Sequence, residues 1–159
     1  MSLLTKNLVN EAIDLAEPTV RAIAAKYHWG PKGVWIAVVG RGLEKPLLRC
    51  VDITAEDVQK YGKDLREIAL QKLAPAAREG RTSNSLADDF PWLLDFGDSI
   101  YNRGAVSEGS GLAVAVSGLY GEADETIAWI VWNIIRMLCL LYLKRGRDVG
   151  ENVMDDFGQ

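Results

Sequence analysis

The chain has 159 residues, 48% of them hydrophobic and 25% charged, with a formal net charge of -4 and a pI near 5.1. That composition excludes wholesale disorder, allows one domain with a core of its own, and argues against a nucleic-acid surface, which needs a basic field. Cys50 and Cys139 are too far apart for C-x-x-C metal or redox chemistry and read as small apolar residues of a reduced, cytoplasmic protein.

In chain order, Leu8, Ala12, Leu15, Ala16, Ile23, Ala24 and Tyr27 recur on one helical face. Pro18 interrupts them, predicting either one kinked helix over 6–27 or two helices meeting near Glu17. His28 to Gly33 reads as a loop. Residues 34–39 are apolar on both faces and predict an interior strand. Pro46 then opens a second strand over 47–51, so the pair forms a hairpin. Thr54 and Asp57 have the spacing of a helix cap. Val58, Tyr61, Leu65, Ile68, Leu73 and Ala76 mark the buried stripe of a helix over 55–79, which Gly80 stops.

The segment 81–100 is irregular. Its apolar group (Phe90, Trp92, Leu93, Leu94, Phe96) predicts a short helical turn or lid packed on the domain. Residues 101–107 predict a weak strand and 112–116 a central one. Along the latter, Leu112, Val114 and Val116 point to one face while Ala113, Ala115 and Ser117 point to the other. The alanines would let another element approach closely.

A long helix over 123–145 follows. Glu122, Asp124 and Glu125 favour its positive end, and Lys144 and Arg145 close it. Asn133 and Arg136 interrupt its apolar run, so neither a membrane span nor a membrane partner is expected. The N-terminal stretch MSLLTKNLVNEAIDL lacks the apolar core of a leader. Residues 1–145 thus read as a single domain and 146–159 as a flexible acidic tail. With the strands clustered in hairpins, the fold class is α+β, an antiparallel sheet with helices packed on it.

The glycine-rich turn at Gly109 and Gly111, the Val116-Ser117-Gly118 strand end and Asp124 resemble the GlcG/HbpS-like family, which includes the C-terminal domain of the PduO cobalamin-pathway protein. Looser likeness lies in the first helix, in 34–39, at Arg49 and Asp52, and at Arg81-Thr82. The chain departs from the family where Val39-Gly40 replaces an Asp, and where Arg49 and Asp52 stand further apart. The resemblance implies a profilin-like or PAS-like sheet, oligomers of such domains, and in some relatives the binding or degradation of haem.

Glycine-flanked turns let backbone groups reach a ligand, so a ligand site is expected at Arg81, Thr82, Ser110, Gly111, Ser117 and Gly118. His28, the single histidine, reads either as a haem ligand or as a loop residue favoured by a helix end. No metal constellation is present in the spacing, and no catalytic set is evident. The acids at the start of the last helix disfavour a strongly anionic ligand. The expected function is an oligomeric small-ligand-binding domain for haem, a related tetrapyrrole or a small metabolite. The alternatives are an interaction module without a ligand, or an enzyme acting on an organic metabolite. Self-association is expected through the 123–145 helix, because a lone domain would leave several of Trp129, Trp132, Ile135, Leu138 and Tyr142 in water.

Overall fold

The computed structural model describes residues 2–98, 103–109 and 111–149, with side chains as far as Gly146. Helix α1 spans Lys6–Lys26, its first turn capped by Thr5, whose hydroxyl accepts from the Leu8 N–H. It is one continuous helix with Pro18 inside it. Pro18 and Asp14, whose carbonyl loses its usual partner to the proline, are both exposed, so water can serve that carbonyl.

Strands β1 (Val34–Val39) and β2 (Leu47–Val51) form the expected hairpin, with Val34 opposite Val51 and Val38 opposite Leu47. Strands β3 (Ala105–Ser107) and β4 (Ala113–Ser117) form another, and β4 pairs antiparallel with β1. The order is β2-β1-β4-β3, an open four-stranded antiparallel sheet, and the chain is an α+β domain.

The single helix expected over 55–79 is two. Helix α2 (Ala55–Tyr61) carries the Thr54–Asp57 capping box and ends at Gly62 in the left-handed conformation. Asp64 then caps α3 (Leu65–Glu79) by accepting from the Glu67 N–H. The break frees α2 from the core, and Val58 is accordingly exposed. Thr82 caps a short helix α4 (Ser83–Asp89), followed by a 3-10 turn at Pro91–Leu93. The expected packing of the apolar group holds in part: Phe90, Leu93 and Leu94 are half-buried, while Trp92 is 73% exposed and Phe96 fully so. Helix α5 runs Gly121–Val149, so residues 146–149, assigned to the tail from sequence, extend the helix. The remainder of the predicted tail, like residues 99–102, lies outside the described residues.

The sheet has one face of large side chains and one of small. Ile36, Val38, Val106, Val114 and Val116 pack with α1 and α5. Ala37, Ala105, Ala113 and Ala115 pack against Ala69, Leu73 and Ala76 of α3. Removing side-chain bulk from one face brings α3 close to the backbone of β4, which positions the site described next. Ala115 has no exposed surface. Ala115→Leu should therefore overpack the α3 interface and cost about 1–3 kcal/mol in urea unfolding.

Candidate functional site

Position 72 belongs to the buried stripe of α3, one heptad after Leu65, yet it holds a lysine. Its ammonium reaches across the small face to the end of β4, where it donates to the Val116 carbonyl at 3.2 Å. Nζ lies 3.6 Å from Oδ2 of Asp124, and the two side chains are 4% and 3% exposed. Asp124 sits in the first turn of α5, where its other oxygen accepts from the Leu119 N–H at 2.9 Å. This carboxylate thus closes the β4–α5 connection and receives a cation from α3.

Two glycines make the space. A Cβ on Gly104 would stand 2.5 Å from the Val116 carbonyl oxygen and 2.9 Å from the Lys72 ammonium. Gly118 has φ +148, and a Cβ there would lie 2.3 Å from the Gly33 carbonyl oxygen. Any side chain at either position would displace the strand end or the lysine.

Burial pushes the Asp124 carboxyl from its ordinary 3.8 up to about 7, against the pull of Lys72 and the backbone N–H groups of Leu119 and Gly118. Burial likewise pushes Lys72 below its usual value, with Asp124 opposing. Both shifts favour the uncharged forms. The proton between them therefore belongs to the pair rather than to either residue.

The pair forms the inner wall of a cleft of about 50 Å³, shared with Trp29, Lys63, Leu65, Ile68, Ser117 and Gly118. Such a volume holds about four waters, or a ligand of similar size. Lys63, in the α2–α3 connection, places Nζ 4.7 Å from the Trp29 ring centre. The neighbouring acids at the start of α5 are occupied by Arg103, which binds Glu125 at 2.9 Å and approaches Glu122 at 3.9 Å. The repulsion of anions expected from these acids is thereby offset.

Ser117 and Gly118, of the site residues read from sequence, line this cleft. Gly111 lies before the opposite end of β4, about 20 Å away at strand spacing. Arg81 and Thr82 are at that end as well, since Gly80 abuts Gly109 so closely that a Cβ would come within 2.5 Å of its Cα. Arg81 stacks its guanidinium 4.0 Å from the Phe90 ring centre, and Thr82 is the α4 cap. Ser110 lies outside the described residues. His28 follows the end of α1, where Nδ1 donates to the Ala24 carbonyl at 2.9 Å. The six residues thus divide between two ends of one strand.

Lys63 and Lys72 carry no sequence motif, and Asp124 reads from sequence as a helix-opening acid and as part of the GlcG/HbpS-like resemblance. A lysine within an apolar stripe was the available signal for Lys72, because a charge on a buried face requires a partner. Among the described residues no group of three or more His, Cys, Asp or Glu could hold a metal ion.

Two wider, mainly apolar grooves flank α5. One, of about 410 Å³, lies among Ile23, Tyr27, Tyr120 and Ala123, and the other, of about 390 Å³, among Leu112, Trp132, Cys139 and Leu140. Trp132, Ile135 and Leu138, expected from sequence to face water in a lone domain, are buried against the rest of the chain. The apolar surface left outside is instead Met137, Leu140 and Leu141, each 43–51% exposed. Gly121–Gly146 is long and apolar enough to cross a membrane by length and composition, with 28% of its most apolar window buried in the fold.

Comparison with protein-family models, curated proteins and solved structures returns no match, so the reading of the site rests on its own geometry.

Lys72→Met leaves Asp124 buried without its cation, and should cost about 3–5 kcal/mol at pH 8. Asp124, with its folded value raised, holds its proton more tightly in the folded state than in the unfolded. Its protonation thus favours folding below the ordinary 3.8, and that contribution is lost as pH rises through about 7. The penalty of Lys72→Met should accordingly shrink between pH 8 and pH 5, as measured by urea unfolding across that range.

Proposed function

We propose that the chain is an oligomeric small-ligand-binding domain whose ligand occupies the cleft above Lys72 and Asp124. The observation that carries this reading is a buried lysine–carboxyl pair that lines an open cleft of about 50 Å³. A purely structural pair needs no such space. The lining suits a small carboxylate: Lys63 and the Lys72–Asp124 pair, whose acid holds its proton to about 7, present polar groups to it, with Trp29, Leu65 and Ile68 to receive a short apolar tail. Haem does not suit this cleft, because cofactors of that size occupy pockets of roughly 300–1,000 Å³. The resemblance to GlcG/HbpS-like proteins supports a ligand-binding role through Ser117, Gly118 and Asp124, which meet at the cleft.

Propionate added to the protein should change tryptophan fluorescence saturably, and the change should vanish in Trp29→Phe. Lys72→Met, checked for folding by circular dichroism, should weaken binding at least about tenfold, the loss expected for a charge-assisted contact of 1.5 kcal/mol or more. No saturable change in the wild-type protein, or one that persists in Trp29→Phe, would remove the cleft from consideration.

The partner proposed for the outer face of α5 is a second copy of this chain. Glu122 and Glu125 lie at the start of the helix and Lys144 and Arg145 near its end, and Asn133 stands midway between Glu122 and Lys144. An antiparallel pairing about a twofold axis at Asn133 sets each acidic end against a basic one, with opposed helix dipoles. The same axis sets Met137 against Trp129 of the partner subunit and Leu140 against Thr126 of the partner subunit, so Met137 and Leu140 leave water at roughly 1.5–3 kcal/mol per side chain. Sedimentation velocity at micromolar concentration should give a dimer or larger assembly that Met137→Glu with Leu140→Glu reduces to 17.5 kDa. A wild-type monomer would end this proposal.

A further inference from the structure

The wall of the cleft carries more chemistry than holding a carboxylate requires. Only one lysine among the cleft residues is buried, and its ammonium is placed by three neighbours: the Val116 carbonyl, the Asp124 carboxyl and the space above Gly104. We infer that Lys72 is a nucleophile that forms an imine with a small aldehyde or 2-oxo acid, with Asp124 as the adjacent proton donor and acceptor. The inference rests on the cleft being the ligand site, and adds to it the class of ligand and a covalent step.

Geometry supplies the requirements in turn. An amine must be uncharged to attack, and burial lowers the proton affinity of Lys72 while leaving it in contact with a group that can take the proton. Asp124 is held in place through Oδ1 by the Leu119 N–H, and its other oxygen, Oδ2, lies 3.6 Å from the Lys72 ammonium. The titratable and charged groups around the amine are Asp124 on α5 and Lys63 in the α2–α3 connection. Arg103 lies beyond them, bound to Glu125. Lys63, which lines the cleft, favours an oxyanion or carboxylate on the ligand.

The step balances with these groups alone. The Lys72 nitrogen lone pair adds to the carbonyl carbon while the Asp124 carboxyl protonates the carbonyl oxygen. The new ammonium returns a proton to Asp124, leaving a neutral carbinolamine. Asp124 then protonates the hydroxyl, which departs as water, and the product is an iminium on Lys72 beside the Asp124 carboxylate. One carbonyl compound and one amine become one imine and one water, with no change of oxidation state.

Acetaldehyde and pyruvate serve as probes, each incubated with the full chain and sodium cyanoborohydride near pH 7, with the reduced adduct located by peptide mapping. Lys72 should be the principal site alkylated, ahead of every exposed lysine, since burial lowers its proton affinity and so raises its free-amine fraction. Pyruvate should outpace acetaldehyde if the neighbouring cations hold its carboxylate. Asp124→Asn, which keeps an oxygen for the Leu119 N–H, should slow the alkylation of Lys72. Peptide mapping of the wild-type protein needs no folded variant. Modification confined to exposed lysines would overturn the inference, and intact propionate binding in that experiment would leave the carboxylate site standing. Loss of both would remove both.

Discussion

Lys72 and Asp124 can be buried together only because the sheet presents a face without bulk. Taking both ions out of water costs several kcal/mol each unless hydrogen bonds and mutual attraction replace the lost hydration. The replacements come from backbone: the Val116 carbonyl for the ammonium and the Leu119 N–H for the carboxylate. Both belong to the last residues of β4 and the turn after it. The pair is therefore a clasp that fixes α3, the end of β4 and the start of α5 to one another. With valines instead of Ala113 and Ala115, α3 would sit further from the strand, and a lysine side chain would no longer reach the carbonyl beneath it.

Much of this arrangement is legible in the chain. The alternation of Val114 and Val116 with Ala113 and Ala115 gives a two-faced central strand, and the structure sets α1 and α5 on the large face and α3 on the small. The hairpin at 34–51 follows from two apolar runs and a glycine turn. Gly62 was less legible because the heptad-like spacing of Val58, Tyr61 and Leu65 continues across it, so periodicity hides a break that the left-handed cap creates. The exposed Trp92 and Phe96 show the limit of hydrophobicity as a guide to burial: Trp92 meets the Phe90 ring edge-on and still leaves most of its own surface in water.

The site was legible only in half. Ser117 and Gly118 were found because glycine at a strand end permits close approach. Arg81, Thr82 and Gly111 were grouped with them because the sequence places glycine-rich turns on both sides of β4, and sequence distance does not reveal that a strand separates its own ends. Lys72 was obscured by the stripe that contains it. Leu65, Ala69, Leu73 and Ala76 mark the same face, and a lysine there reads as a snorkelling neighbour until a partner is known. The partner is 52 positions further on in sequence, at a place where an acid is already accounted for by the helix dipole. Asp124 thus does two jobs with its two oxygens, and only one of them has a local sequence signature.

That division of labour bears on what the cleft can do. If Asp124 served only as a helix cap, either asparagine or serine would satisfy the Leu119 N–H, and neither would require a cation from another helix. If Lys72 served only to bind α3 to the sheet, a methionine of similar length would pack against the alanines without desolvating a charge, which is the more stable choice in many buried pairs. The ion-forming combination is the costlier solution to both structural tasks. It is retained beside a space that opens to solvent, with Gly104 excluding any side chain from Lys72's position and Gly118 pressed against Gly33 so that the cleft keeps its shape. A costly pair at the one place where a small molecule can reach it is better explained by chemistry on that molecule than by support of the fold.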